Sequence, residues 1–257
     1  MLEIDNRSGM IETDRRSGAR VLDVSRDGDL LIAAEIIGNK GIAALPFGTI
    51  FGIFARMDDP IAALAIHKIK ERPPDQKLIT VIEPEEISDY VDFSRIPYTE
   101  QQIRGLWEDT HALGIILPAS KRVPAHLVTG EGDESTFINI WANSPHLITI
   151  MGYLHGFGVK GLVGTSANEK GEPTIHRFDL LSQVFDQQVD VLVKDSFDHL
   201  PAELQVSTTI LVLTSEHPSL YRLGSVGVEE LEGVLQRQRF PSLVVPENYH
   251  VVLPRGE

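Results

Sequence analysis

The stretch Asp29–Ala55, DLLIAAEIIGNKGIAALPFGTIFGIFA, decides how the chain folds. Its first half has the apolar density of a helix packed against a core, and Gly38 and Asn39 are residues that stop one. In the second half, Ile42–Leu45 is a short apolar run of the kind that fills the middle of a sheet. It leads through Pro46 and Gly48 to Thr49 and then Gly52. A helix followed at once by a buried strand is the unit from which α/β domains are built.

The alternation continues along the chain. Asp58–Glu71 has helical spacing, with Asp59 as N-cap and Pro60 at the first helical position. Lys77–Glu83 reads as a strand, Glu85–Phe93 and Thr99–Thr110 as helices, and Leu113–Ala119 as a strand. His146–Gly158 reads as a helix, Gly161–Ala167 as a strand leaving into a loop, and Arg177–Gln188 as a helix. Val189–Asp195, Thr208–Thr214 and Ser219–Ser225 read as strands, and Val228–Gln238 as a closing helix. Several strands are joined by loops instead of crossover helices, so the expected fold is α/β, a twisted mixed sheet with flanking helices, and not a regular Rossmann fold. The expected organisation is a polar N-terminal arm over residues 1–20, one domain over 21–228, and a C-terminal helix and tail over 229–257.

The chain has 257 residues, 42% of them apolar, enough for one sizeable core. Cysteine is absent, which excludes disulfides and thiolate sites and fits a cytoplasmic location. No signal peptide is visible, and no segment reaches the roughly 18 apolar residues of a spanning helix, so no membrane association is expected. A net charge of −14 argues against broad nonspecific contact with a nucleic-acid backbone. A local group of cations would instead suit a small anion.

Three familiar patterns fail on their context. Gly156–Gly161, GFGVKG, matches the dinucleotide fingerprint, but here a helix precedes and a strand follows, the reverse of what that site needs. Gly164–Asn168, GTSAN, lacks the last glycine of the serine-hydrolase elbow, and a turn follows it instead of a helix. The histidines form no H-E-x-x-H or H-x-H, so no metal site is expected, and no Walker-type loop occurs.

Four separated pieces remain. They are the Pro46–Gly52 segment, Lys68–Ile82 (KIKERPPDQKLITVI), Lys121–His126 (KRVPAH), and GTSAN together with Val206–Leu213 (VSTTILVL) and Leu220–Val228 (LYRLGSVGV). Lys70, Arg72, Lys77, Arg122 and Arg222 are cations in or near loops that adjoin strands, a set suited to a triphosphate if the fold gathers them. Ser166, Asn168, Ser207 and Thr208 offer hydroxyl and amide groups to phosphate or ribose.

In order and spacing, from about Gly41 to Val228, these pieces resemble the YrdC/Sua5 family of threonylcarbamoyl-adenylate synthases. The family pattern runs P-T-D-T-x-Y-G-L, K-x-R-P with a following K-P, R-x-P-x-H, T-S-A-N, S-T-V, and an arginine near R-P-G. The resemblance implies a YrdC-like sheet with an open concave face, and a nucleotidyltransferase that condenses threonine, bicarbonate and ATP, with Mg²⁺, for tRNA modification. It implies Lys70 and Arg72 as catalytic cations, with Thr49, Lys77, Arg122, Ser166, Asn168, Ser207, Thr208 and Arg222 as substrate-binding groups. A non-catalytic protein of the same fold, holding nucleotide or structured, double-stranded RNA, is the alternative it leaves open.

The match falters in one region. P-T-D-T reads Pro46-Phe47-Gly48-Thr49 here, the following tyrosine is Phe51, and Gly114 stands where the family has a threonine. In the resemblance these positions lie on the amino-acid side of the pocket, and their loss implies a more apolar acceptor amine or incomplete chemistry.

Overall fold

The computed structural model describes residues 18–73, 76, 78–169, 172–195 and 206–251. Strand β1 is Arg20–Asp23, followed by helix α1 (Asp29–Gly38), β2 (Ala43–Phe47) and β3 (Ile50–Arg56). Then come α2 (Pro60–Ile69), β4 (Ile79–Val81), α3 (Glu100–Glu108), β5 (Ala112–Pro118) and β6 (Thr136–Ala142). The chain continues with α4 (Pro145–Gly156), β7 (Leu162–Ser166), α5 (Phe178–Phe185) and β8 (Val191–Lys194). It closes with β9 (Ile210–Val212), β10 (Ser219–Leu223), α6 (Val228–Arg237) and β11 (His250–Val251).

The strands form one open sheet in the order β1-β8-β2-β3-β7-β4-β6-β5-β9-β10-β11. Its pairings are mixed: β4 runs parallel to β6 and antiparallel to β7, while β5 runs parallel to β9 and antiparallel to β6. This is the twisted mixed sheet expected from the sequence.

Four strands, β1, β3, β6 and β11, escape the sequence reading. Strand β3 is the return arm of a hairpin with β2, in which Phe47 pairs with Ile50 across a turn of Gly48 and Thr49. Gly48 has φ 61°, a conformation that tight hairpin turns require and that side chains disfavour. Strand β6 pairs along its whole length with β5. The helix expected at Glu85–Phe93 is not formed: only the 3-10 turns Ile87–Asp89 and Phe93–Arg95 occur there. Asp92 accepts the backbone N–H of Ser94, a local bond that competes with helix continuation. At the N-terminus, Arg20 begins a strand paired parallel with β8; residues 1–17 of the expected arm lie outside the described residues.

Side-chain alternation gives the sheet two unlike faces. Ile53, Thr80, Asn139, Ile115 and Leu211 point to the face that is closed to solvent. Asn139 satisfies itself there, accepting from the Thr80 hydroxyl at 3.0 Å and from Ile82 N–H at 2.8 Å while donating to Ile82 O at 3.1 Å. Their strand neighbours Ile79, Ile138 and Ile116 are only partly buried and point to the concave face, where the cavity described next lies.

Candidate active site

The cavity on the concave face has a volume of about 460 Å³, within the range of small-molecule sites. Its cationic wall is built by two chain reversals. The first follows α2: Glu71 takes a left-handed φ of 47°, and Arg72 N–H reaches back to His67 O at 3.0 Å while Glu71 N–H bonds Lys68 O at 3.1 Å. This is the Schellman closure of a helix, with a glutamate where glycine is usual. It aims Arg72 into the cavity, where Nη1 donates to the Thr165 hydroxyl at 3.0 Å.

The second reversal joins β10 to α6. Gly224 lies so close to the 207–209 strand entry that a Cβ there would fall 1.9 Å from Ser207 O. Thr209 locks the corner, accepting from Gly224 N–H and Val226 N–H and donating to Val226 O. Ser207 and Thr208 are thereby held at the cavity, and Arg222 donates through Nε and Nη2 to Thr208 O at 3.0 and 2.8 Å.

Burial lowers the pKa of both guanidinium groups, and Arg72 lowers that of Arg222 further, to about 10. The cavity lining contains Arg72 and Arg222 and no carboxylate, and among the described residues neither arginine has an acidic ion-pair partner. Two desolvated, neighbouring cations without a counter-ion, in a chain of net charge −14, form a site for an anion.

Of the residues singled out from the sequence, Arg72, Ser166, Ser207, Thr208 and Arg222 line this cavity together. Lys70 stands behind the wall at 2% exposure. Its ammonium donates to Ser166 O at 3.0 Å, to Asn168 Oδ1 at 2.7 Å and to Asn168 O. Burial first, and the Arg72 charge second, push Lys70 down to about 7. Asn168 in turn accepts from the Ser166 hydroxyl at 2.8 Å and donates to Glu172 O at 2.6 Å, so the GTSAN loop is a hydrogen-bonded knot around Lys70. Thr49 sits beside the cavity with its hydroxyl 3.4 Å from Val206 O.

Arg122 does not join the set. It is exposed and paired with Asp89 at 2.6 Å, outside the cavity lining. Lys77 lies outside the described residues. Gln76, Tyr221, Thr129 and Thr136 line the cavity without having been singled out. So do Ile79, Ile116 and Ile138, which only the strand register distinguishes from core residues.

Among the described residues no group of acidic, histidine or cysteine side chains could hold a metal, and no helix is long and apolar enough to cross a membrane.

Comparison with known proteins bears on the family and the fold. A threonylcarbamoyl-AMP synthase of Pyrococcus abyssi is 26% identical over 204 residues, covering 79% of this chain and 56% of its own length. Another, of Vibrio campbellii, is 28% identical over 176 residues, covering 67% of this chain and 90% of its own length. The chain thus spans little more than half the length of the Pyrococcus relative. The crystal structure of P. abyssi Sua5 complexed with L-threonine superposes with a TM-score of 0.73 at 22% identity, over 88% of this chain and 62% of that one, which establishes a shared fold. The Sua5_yciO_yrdC family model, described as "Telomere recombination", matches residues 35–224, most of the chain. With the motifs in order and the sheet and cavity in place, the chain belongs to the Sua5/YciO/YrdC family.

Proposed function

We propose that this chain is an ATP-dependent nucleotidyltransferase of the L-threonylcarbamoyladenylate synthase type. The observation that carries the reading is the pair Arg72 and Arg222, desolvated on one wall of a cavity of nucleotide dimensions and without a carboxylate partner among the described residues. In the reaction, an amino-acid nitrogen adds to the carbon of bicarbonate, and water leaves to give a carbamate. A carbamate oxygen then attacks the α-phosphorus of ATP. The bond from that phosphorus to the bridging oxygen breaks, and pyrophosphate departs with the electron pair. Arg72 and Arg222 hold the phosphate charge as it shifts toward pyrophosphate, and Ser166, Ser207 and Thr208 offer hydroxyls to phosphate or ribose.

Lys70 acts through the loop it ties, keeping Ser166 at the cavity wall. The mechanism is one of positioning and charge stabilisation, and it requires no proton-relay triad. ATP enters as its Mg²⁺ complex. Among the described residues the lining offers hydroxyl oxygens, from Ser166, Ser207 and Thr208, and no carboxylate, so the ion would be supplied with the nucleotide, where it would neutralise phosphate charge. The product is the activated carbamoyl-adenylate that the family resemblance ties to tRNA modification. Cations gathered at one cavity of an acidic chain suit a nucleotide better than a duplex.

The test is pyrophosphate release from ATP in the presence of bicarbonate and each amino acid in turn. Release that depends on both bicarbonate and an amino acid is the expected result. No release with any of them would sink the proposal.

A further inference from the structure

Ile79, Ile116 and Ile138 form an isoleucine floor to the cavity, and its lining also carries an aromatic ring that the core does not use. Phe47 and Phe54 reach the lining at 5% and 1% exposure and belong to the core, whereas Tyr221 lines the same cavity at 44% exposure. Aromatic side chains gain more than most from being covered, and this one stays open beside the buried guanidinium of the next residue, Arg222.

The backbone makes a specific provision for the two together. Leu220 pairs with Leu211 and Arg222 with Ile210, so two steps along β10 match one along β9, and Tyr221 is the extra residue of a β-bulge. Leu220 and Leu211 are buried on the closed face, while Arg222 and Ile210 line the cavity. In a regular strand only Tyr221 would follow Leu220 onto the cavity side, and Arg222 would turn back to the closed face. The bulge gives the cavity both, a ring and a cation from consecutive residues. On the outer side, parallel pairing of Arg222 with His250 seats β11 against the bulge. The His250 ring meets the Tyr221 ring at 62°, with centroids 5.6 Å apart, which restricts how far the tyrosine can swing.

Resting on the nucleotide part of the synthase reading above, we infer that Tyr221 binds the nucleobase, its ring stacking on the base while Arg222 holds phosphate. Base and phosphates are separated by one ribose, so a nucleotide anchored at Arg222 brings its base to the neighbouring side chain. Stacking takes apolar surface of both rings out of water and draws on no hydrogen-bond partner from the lining.

The experiment compares calorimetric titrations of MgATP and of magnesium tripolyphosphate, which keeps the phosphates and has no base, into the natural protein, Tyr221→Leu and Tyr221→Phe. Tyr221→Leu should weaken MgATP binding by about 5-fold to 100-fold and leave tripolyphosphate binding unchanged, while Tyr221→Phe keeps the natural affinity for both. Tyr221→Val takes the place of Tyr221→Leu should that variant fail to fold. Unchanged MgATP binding without the ring, an equal loss for both ligands, or failure of Tyr221→Phe to keep MgATP affinity overturns the inference and leaves the synthase reading standing. The expected binding pattern without pyrophosphate release for any amino acid supports the inference while the synthase reading falls. No MgATP binding by the natural protein overturns both.

Discussion

Lys70 is a charge that water hardly reaches, and its value to the protein lies in the oxygens it joins. Replacing it by alanine removes the donor to Ser166 O and Asn168 O, leaves Asn168 Oδ1 with the Ser166 hydroxyl, and opens a hole; a loss of ~2 kcal/mol in urea denaturation is expected. The pH dependence has a definite sign. Burial holds the folded-state pKa at about 7 against an ordinary value of 10.5, so between these limits the unfolded chain binds the additional proton. This group therefore makes the protein more stable as pH rises from 7 toward 10, by at most ~1.4 kcal/mol per pH unit. Comparison of urea midpoints at pH 7 and pH 9 should show a rise in the natural protein that Lys70→Ala lacks; equal slopes would refute it. The sequence reading made Lys70 a catalytic cation alongside Arg72. That it faces backward was not legible there, because its partners lie 96 and 98 residues away in a loop whose placement depends on the sheet.

Elements reverse at two residues with opposite chemistry. Glu71 occupies a left-handed position that glycine fills without strain, so Glu71→Gly should stabilise the fold by ~1 kcal/mol in thermal unfolding while loosening the aim of Arg72. Destabilisation would mean that the glutamate makes a compensating contact. Gly224 is the converse, since any Cβ there meets Ser207 O. Gly224→Ala should cost ~2–3 kcal/mol and displace Ser207 and Thr208, seen as a lower urea midpoint together with weaker ATP binding. Elements with one dominant signal were readable from the sequence, such as α2 with Asp59 accepting from Ile61 N–H and Ala62 N–H ahead of Pro60. The β2–β3 hairpin was not, because its apolar run passes through the turn without a polar break. The stretch Glu85–Phe93 misled because its apolar spacing suits a helix while Asp92 bonds locally to the N–H and hydroxyl of Ser94.

At the scale of the whole molecule, a mixed sheet places residues from distant segments on one face. The sequence order of the motifs announced Arg72, Ser166, Ser207, Thr208 and Arg222, which the fold collects at one cavity. It placed Arg122 with them although the fold pairs that residue with Asp89. The isoleucine floor could not be read, since an aliphatic residue in a strand looks the same whichever face it occupies, and only register tells them apart. The proposed function rests on Arg72 and Arg222, and the calorimetric titration of MgATP into the natural protein and into the Arg72→Gln, Arg222→Gln double variant addresses them without intermediaries. Each charge-assisted contact contributes about 1.5–3 kcal/mol, so the double variant should bind at least 100-fold more weakly while keeping a cooperative thermal transition. Equal affinity in the folded variant would show that the nucleotide, if bound at all, is held elsewhere.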